Sequence, residues 1–426
     1  MFSEFSGGFF MHLAITIRDR FVFLLLMLFL ASSVTASENN HYGFNDTVND
    51  CHVLPAIGEV VGINVAIQLI DRFAFKYDYA QTTWQTPVNN LRTGLVWDND
   101  GFFLNQIAHP TMGGFYHIVS RANGLSYWQA LPLNVLGSLS WELFGETDPI
   151  SANDLLGTAI PGMATGEGLW RLGHRIFDKN DHTPIVGHAG LGCRFVLPQK
   201  SADIGSCNAT ISTGFTYGNE SCETGNKPFD YFMAYIQFGV GGQQPIVQEL
   251  NVLGRVWGQS LTTGNGNGLT WGMFQHLNYF ELNDCKFSEA TSFGIGAVYS
   301  GKRLKQQFHV CADFHGANTT DYYSVDERNY SFGNGYGLKS LTALYLTPST
   351  LFTLYLQQNQ LFASSVQGDK GNSVLLLARP RFSQKLGQHF AIDLSARWFY
   401  RYTTYDAHPN QAASSFTAQL GVNYLF

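Results

Sequence analysis

The sequence predicts a membrane β-barrel of about 10–12 antiparallel strands, with an N-terminal α-helical region packed in or under the barrel. A C-terminal segment of strict apolar alternation and a series of similar amphipathic runs before it predict the barrel. Apolar residues at helical spacing ahead of these runs predict the helices. Three segments follow: a signal peptide at 1–36, a helical region at 37–180 and a barrel at 181–426.

The C-terminal segment has the pattern of a membrane-facing strand. From Phe416 to Phe426 every second residue is apolar, and polar residues such as Thr417 and Asn423 lie between them. A period of two places one face in an apolar medium and the other in a polar one. The aromatic end, with Tyr424 two residues before Phe426, resembles the closing strand of bacterial outer-membrane barrels. We therefore expect outer-membrane lipids and the barrel assembly machinery as partners; the alternative is an amphipathic last strand of a soluble sandwich.

The N-terminal segment has the pattern of an export signal. Arg18 and Arg20 precede the uncharged apolar run 21–31, and Ala36 ends a site typical of signal peptidase. The run is shorter than the roughly 20 apolar residues that a transmembrane helix needs. We expect export, cleavage after Ala36 and location in the bacterial outer membrane. An uncleaved anchor and a true start at Met11 are the alternatives.

Residues 181–426 contain alternating runs separated by polar loops, for example 231–240, 308–314 and 389–401. Runs of roughly ten residues have the length that a tilted strand needs to cross a bilayer. Charged residues make up 13% of the chain, which is about half of the usual share in soluble domains. The net charge of -7 argues against nucleic acid as a partner.

The segment 55–177 has helical spacing instead. We predict helices at 55–75, 110–122, 128–144 and 151–177, with His109 as the N-cap of the second. These helices are too apolar for a free soluble domain. We therefore expect them to plug the lumen, sit beneath the periplasmic mouth or lie against the membrane.

Six cysteines follow the predicted cleavage site. An exported protein can form disulfides, although sequence cannot choose among the pairings. Cys207 and Cys222, which bracket a polar loop, form the favoured bridge, and Cys285 with Cys311 comes second.

Many polar residues are concentrated in the apolar helical segment. Buried charges must be paired, so we expect Arg121 or Arg171 to form ion pairs with Glu142, Asp154 or Glu167. One interpretation is an active site with His109 as general base and a nearby serine as nucleophile. The simpler interpretation is that these residues are helix caps and ion pairs. The candidate catalytic residues are His109, Glu142, Ser138 and Asp154, and the candidate binding residues are Asn105, Tyr116, Arg121, Ser126, Asn153, Glu167 and Arg171.

Several motifs follow one another in the same segment. They are Asn105-Gln106…His109-Pro110…Gly113…Tyr116, Arg121-Ala122-Asn123-Gly124, Gly137-Ser138…Trp141-Glu142…Gly145-Glu146 and Pro149…Ser151…Asn153-Asp154. These motifs resemble the central pattern of a bacterial domain-of-unknown-function family, number 3943, found in envelope proteins. Two motifs further along, 227–230 and 328–333, are also similar to that family. The resemblance implies an outer-membrane setting and assigns no activity.

Three functions are compatible with these features. The favoured one is an outer-membrane barrel whose helical region forms a plug or binding site. The alternative is a membrane-embedded lipid or glycolipid hydrolase or acyl-transfer enzyme that uses the region of His109 and Glu142. A passive channel is disfavoured, because a barrel of this size leaves little room beside the helices. No metal or organic cofactor is predicted: Asp98 and Asp100 have chelating spacing, but a turn with solvated acids explains them better. The sequence does not predict the oligomeric state.

Overall fold

A computed structural model gives the fold of most of the chain. The predicted signal peptide and Cys222 lie outside the described residues, so the export signal stays a prediction. The structure describes residues 51–98, 100–177, 185–196, 206–218, 231–240, 247–263, 267–282, 285–318, 331–363 and 370–426.

Five α-helices precede the strands in this part of the chain. The first continues as a π-helical segment, Ile70–Phe75, and the fourth as Trp141–Gly145; a further π-helical segment, Leu104–Ala108, runs directly into the third. Because the chain is already helical at Ala108, His109 is not the N-cap that the sequence predicted. The helices are α1 Val53–Leu69, α2 Thr86–Thr93, α3 His109–Ala122, α4 Tyr127–Ser140 and α5 Ala152–Phe177.

The described strands form a closed antiparallel barrel of twelve, in which each strand pairs with its sequence neighbours and β12 closes on β1. This confirms the predicted fold class. The strands are β1 Ile185–Val196, β2 Ser206–Gly218, β3 Tyr231–Val240, β4 Val247–Thr263, β5 Asn267–Leu282, β6 Cys285–Ser300, β7 Leu304–Asn318, β8 Ser331–Thr347, β9 Thr350–Ala363, β10 Gly371–Leu386, β11 Phe390–Tyr405 and β12 Gln411–Leu425.

The two faces of the wall follow the predicted alternation. On β12, Leu420 and Val422 are exposed on the outside, whereas Thr417 and Asn423 are buried in the lumen. An apolar exterior of this kind needs lipid around it.

Strand β5 shows which side is the lumen. Phe280 of β5 contacts Phe399 of β11 with ring centroids 5.4 Å apart. These strands are six places apart in a ring of twelve, so the contact crosses the lumen. Leu269 and Trp271, of opposite parity to Phe280, are exposed outside. Leu277 shares their parity and therefore points outward, yet it is buried.

The helices cover these outward side chains. Tyr127, Met163 and Ala164 form one apolar cluster with Leu277 and with outward residues of β3, β4 and β6. The Tyr127 hydroxyl donates a hydrogen bond to Gln275, whose amide donates to the Ile160 carbonyl at 2.7 Å. The described helices thus lie against the outside of the wall. The expected position in or under the barrel is corrected, because apolar outward residues can face a helix as well as lipid.

Three β-bulges lie under the helices. The strand register shifts at three places. In β4 it shifts between Arg255 and Trp257, and in β7 between Asp313 and Gly316. In β6 it shifts in the stretch that pairs with His276 and Asn278 of β5. Residues in these irregular stretches contact the helices: Val256 and Ala290 belong to the Tyr127 cluster, and His315 bonds Gln106 of the helical region at 3.2 Å. The bulges therefore shape the docking face for the helices.

The cysteine predictions are not supported. Cys207 and Cys311 are free thiols, as are Cys51 and Cys193. The favoured bridge to Cys222 involves a residue outside the described part, and the second bridge to Cys311 is not formed. The Cys311 thiol instead contacts the Gly337 carbonyl oxygen at 3.4 Å.

Candidate functional site

Close approach of α3 and α5 builds the polar interior of the helical region. A Cβ added at Gly113 would lie 1.8 Å from the Thr158 carbonyl oxygen, and one at Gly162 would lie 2.4 Å from the Gly113 carbonyl carbon. Only glycines allow the two backbones to touch in this way. The polar side chains of α3, α4 and α5 are consequently held together in a small buried volume.

One network is centred on Glu167 of α5, which is fully buried. Its carboxylate lies 2.8 Å from Arg121 Nε and 2.7 Å from Arg171 Nη2. The His117 ring nitrogen Nε2 lies 2.9 Å away. Trp170 covers the Arg121 guanidinium at 4.3 Å. We call these residues the Glu167 cluster.

The Glu167 cluster is balanced electrostatically. Burial raises the pKa of Glu167, but the guanidinium groups of Arg121 and Arg171 outweigh burial and hold the pKa well below its usual range. Both arginines pair with Glu167, which was one of the expected partners, and neither pairs with Glu142 or Asp154.

The second network is acidic, and we call it the acidic core. Its carboxylates come from three places that the fold brings together: the segment before α3, the end of α4 and the first turn of α5. These residues are Asp98, Asp100, Glu142, Glu146 and Asp154, with His109 beside them.

Neutral groups fix the geometry of the acidic core. The Ser151 backbone N–H donates to Glu142 Oε2 at 2.8 Å. The Asn153 amide donates to Asp98 at 2.7 Å and to the Asn105 side-chain oxygen at 2.9 Å. The predicted binding residues Asn105 and Asn153 are thus both placed in this site.

The carboxyl groups are too close to be ionised together. Burial, followed by the hydrogen bond to Asp98, raises the pKa of Asp154 well above its usual range. Burial and the neighbouring Glu142 likewise raise the pKa of Glu146, and burial raises that of Glu142. Burial and Asp98 raise the pKa of Asp100 to about 6. Two carboxyl pairs, Asp98 with Asp154 and Glu142 with Glu146, therefore hold protons between them.

The acidic core differs from the Glu167 cluster in the charge of its partners. Across the described residues, no lysine or arginine forms an ion pair with Asp98, Glu142, Glu146 or Asp154. Glu142 is 1% exposed, and no N–H or hydroxyl group of the described residues donates to its Oε1 atom. A buried carboxylate oxygen without such a donor is costly, which favours the proton shared with Glu146.

His109 lies at the edge of the acidic core. Its Nε2 is 3.3 Å from Asp154 Oδ1, and its Nδ1 is 3.0 Å from the Thr158 hydroxyl. Burial lowers the pKa of His109 to about 4, so the ring is neutral near pH 7. The order Thr158–His109–Asp154 follows a hydroxyl–base–acid sequence, but Thr158 is 2% exposed, which leaves no room for a substrate at its hydroxyl.

The predicted serine nucleophiles lie elsewhere. Ser138 donates to the Asp154 backbone carbonyl at 3.4 Å, and Ser126 is the N-cap of α4 in a capping box with Gln129. Tyr116 is buried and donates its hydroxyl proton to Asn64. Neither serine hydrogen-bonds His109, so the described contacts do not favour the serine-hydrolase alternative.

Sequence reasoning passed over three residues of the site. Glu146 was noted only as part of a motif, although it follows Glu142 by four positions and comes directly after the helical segment that ends at Gly145. Thr158 follows Asp154 by the same spacing on α5. Asp98 was assigned to a solvated turn, yet Asn153 binds it inside the protein.

Solved structures with some likeness to this chain are outer-membrane proteins. They include a NanC porin structure (8% identity, TM-score 0.31, covering 57% of this chain and 99% of that chain). They also include OmpT, an outer membrane protein of Vibrio cholerae (8%, 0.27, 58% and 99%). A third is the outer membrane channel DcaP of Acinetobacter baumannii (7%, 0.27, 57% and 97%). No curated protein matches the chain.

The family resemblance is confirmed for the segment that contains the acidic core. The two downstream motifs at 227–230 and 328–333 lie beyond the matched stretch. Residues 94–193 of this chain match the model of the family described as Domain of unknown function (DUF3943).

Proposed function

We propose that this protein is an outer-membrane β-barrel whose helical region, docked on the outer wall, binds a divalent metal cation in the acidic core. The plug expected from the sequence is not retained, because the described helices contact outward side chains. The other role expected for the helical region, a binding site, is retained, and we propose a metal cation as its ligand.

The exposed side chains of the helices support a location next to the barrel wall, in contact with lipid. By length and apolar composition, the helical stretch Val53–Phe75 is able to cross a membrane. Val61, Val65 and Leu69 are exposed on it, as are Leu269 and other apolar residues on the barrel wall. Both surfaces thus suit the same apolar surroundings.

The observation that carries the proposal is a buried set of carboxyl groups, those of Asp98, Glu142, Glu146 and Asp154, with which no lysine or arginine of the described residues forms an ion pair. Ligand atoms of Glu142, Glu146 and Asp154 lie within 4.8 Å of one another, and so do those of Asp100, His109 and Asp154. The first set consists of oxygen atoms, which Mg²⁺, Ca²⁺ and Mn²⁺ prefer. Asp154 belongs to both sets and would be the central ligand.

A bound cation would replace the protons that the carboxyl pairs share. Metal ligands bind in the deprotonated form, so metal binding releases protons and stabilises the folded state. At a metal concentration of about 100 times Kd the stabilisation is about 2.7 kcal/mol.

The test measures metal content and thermal stability of the purified full chain in detergent. After chelation, Mg²⁺, Ca²⁺, Mn²⁺ and Zn²⁺ are added back singly. We expect one of them to bind with a stoichiometry near one and to raise the unfolding temperature of the helices. Glu142→Gln with Glu146→Gln should abolish this rise, whereas the exposed control Glu59→Gln should keep it.

Two results would contradict the proposal. One is an unfolding temperature that no added cation changes. The other is an unchanged response in the double variant with its barrel intact, as reported by heat-modifiable gel mobility.

A further inference from the structure

The barrel lumen contains a cavity that is separate from the acidic core. A cavity of about 650 Å³ is lined by inward residues of the strands. Acidic residues are fewer than basic ones on this lining, where Asp393 is the single carboxylate. The basic lining residues are Lys305, Lys339, Arg379, Arg381 and Arg397.

Some of these basic side chains already form ion pairs with acidic residues of the lumen. Glu249 accepts hydrogen bonds from both Arg379 and Arg397. Asp393 accepts from Arg381 at 2.6 Å. Glu249 therefore neutralises only one of its two arginines.

Arg194 adds a further cation without any acceptor. It lies on the inward face of β1 and is 1% exposed. None of its three guanidinium nitrogens has a hydrogen-bond partner. Glu249 and Glu281 attract it from beyond hydrogen-bonding distance. A buried guanidinium with five unsatisfied N–H groups is unfavourable unless an acceptor fills the space beside it.

The strand register places Arg194 beside residues that line the cavity. Arg194 pairs with Gln419 of β12, which pairs in turn with Ser395 of β11, and both of these partners line the cavity. Arg397 lies two residues beyond Ser395, on the same inward face. It is close enough to repel Arg194, and its Nη1 atom also lacks a partner.

We propose that the lumen binds a small soluble oxyanion, a carboxylate or a phosphate, between the guanidinium groups of Arg194 and Arg397. Planar guanidinium groups bind two oxygens of such anions at once. The anion would satisfy the donors of Arg194 and would separate two like charges that otherwise repel each other. This site is independent of the acidic core, which lies in the helical region outside the wall.

Calorimetry and thermal unfolding of the full chain, refolded in detergent without lipid, test the proposal at constant ionic strength. The probes are inorganic phosphate and acetate, with chloride as the control anion. We expect at least one oxyanion to bind and to raise the barrel unfolding temperature, while chloride does neither. Absence of lipid excludes a lipid phosphate as the source of the effect.

Arg194→Met is the informative variant. Charge-assisted hydrogen bonds of this strength correspond to a loss of about tenfold to hundredfold in oxyanion affinity. Without oxyanion the variant should unfold at a higher temperature than the wild type, because an unpaired buried charge has been removed. The control Arg92→Met, on the exposed face of α2, should bind as the wild type does.

Failure of phosphate and acetate to bind the wild type would overturn the proposal. So would wild-type oxyanion affinity in a folded Arg194→Met barrel. If that variant does not fold, Arg194→Gln is measured in its place with the same two criteria.

Discussion

Replacing Glu167 by Gln should destabilise the helical region more than any other single isosteric change in it. Glutamine keeps the shape of the side chain but removes the negative charge with which both Arg121 and Arg171 form ion pairs. The arginine side chains are only 4% and 3% exposed, so water cannot replace the lost carboxylate. Removing one partner of a buried ion pair costs about 3–5 kcal/mol. Two cations depend on this one anion, so we expect the upper part of that range.

Circular dichroism at 222 nm in detergent reports the unfolding of the helices, and heat-modifiable gel mobility reports the barrel separately. A loss of this size corresponds to a decrease in unfolding temperature on the order of 10 °C. Glu59→Gln is the matched control, because Glu59 is exposed and its carboxylate accepts a hydrogen bond from the Asn123 amide at 2.8 Å. An unfolding temperature of Glu167→Gln equal to that of this control would refute the reasoning.

The pH dependence of the wild type follows with a defined sign. The pKa of Glu167 is lowered in the folded protein, so its contribution is present above the pKa of the unfolded chain. That contribution is lost as the pH falls below the ordinary glutamate value of about 4.3 towards the folded pKa. The difference in stability between wild type and Glu167→Gln should therefore shrink on acidification through this range.

Gly168→Ala should release α5 from the wall, because the added Cβ would lie 1.8 Å from the ring of Phe232, whereas Gly173→Ala meets no atom within 4 Å. Faster limited proteolysis of the helical region in Gly168→Ala alone checks this, and equal rates in the two variants would contradict it. Deletion of Phe426 should slow barrel assembly in cells, since its backbone pairs with Gly187 where β1 closes on the last strand. A pulse-chase measurement of the heat-modifiable form, with unchanged kinetics as the contrary result, checks this prediction.

The barrel could be predicted because alternation is a local signal. On β12 the outward residues Leu420 and Val422 are apolar, and the inward Asn423 is polar, as a lipid-facing wall requires. The position of the helices could not be predicted in this way. Leu277 is covered by helices and Leu269 is exposed, yet they are the same residue type on the same face of one strand.

Most residues of the candidate site could be predicted from the sequence, but only some of the contacts between them could. The spacing of Glu167 and Arg171 on one helix face indicates their ion pair directly, because residues four apart are neighbours. The carboxyl pair of Asp98 and Asp154 joins residues far apart in the sequence. The segment before α3 is brought to the start of α5 by the pairing of Val96 with Ser151 and by the hydrogen bond from Asn153 to Asp98, contacts that no local pattern specifies.

The bulges in β4, β6 and β7 have a consequence for the order of biogenesis. The bulges form only when neighbouring strands have paired. Residues in the bulged stretches, such as Val256 and His315, belong to the surface on which the helices dock. The ribosome nevertheless makes the helices before any strand. The apolar residues of the nascent helical region that contact the wall, such as Met163, must therefore remain uncovered by it until the strands that carry the bulges have paired.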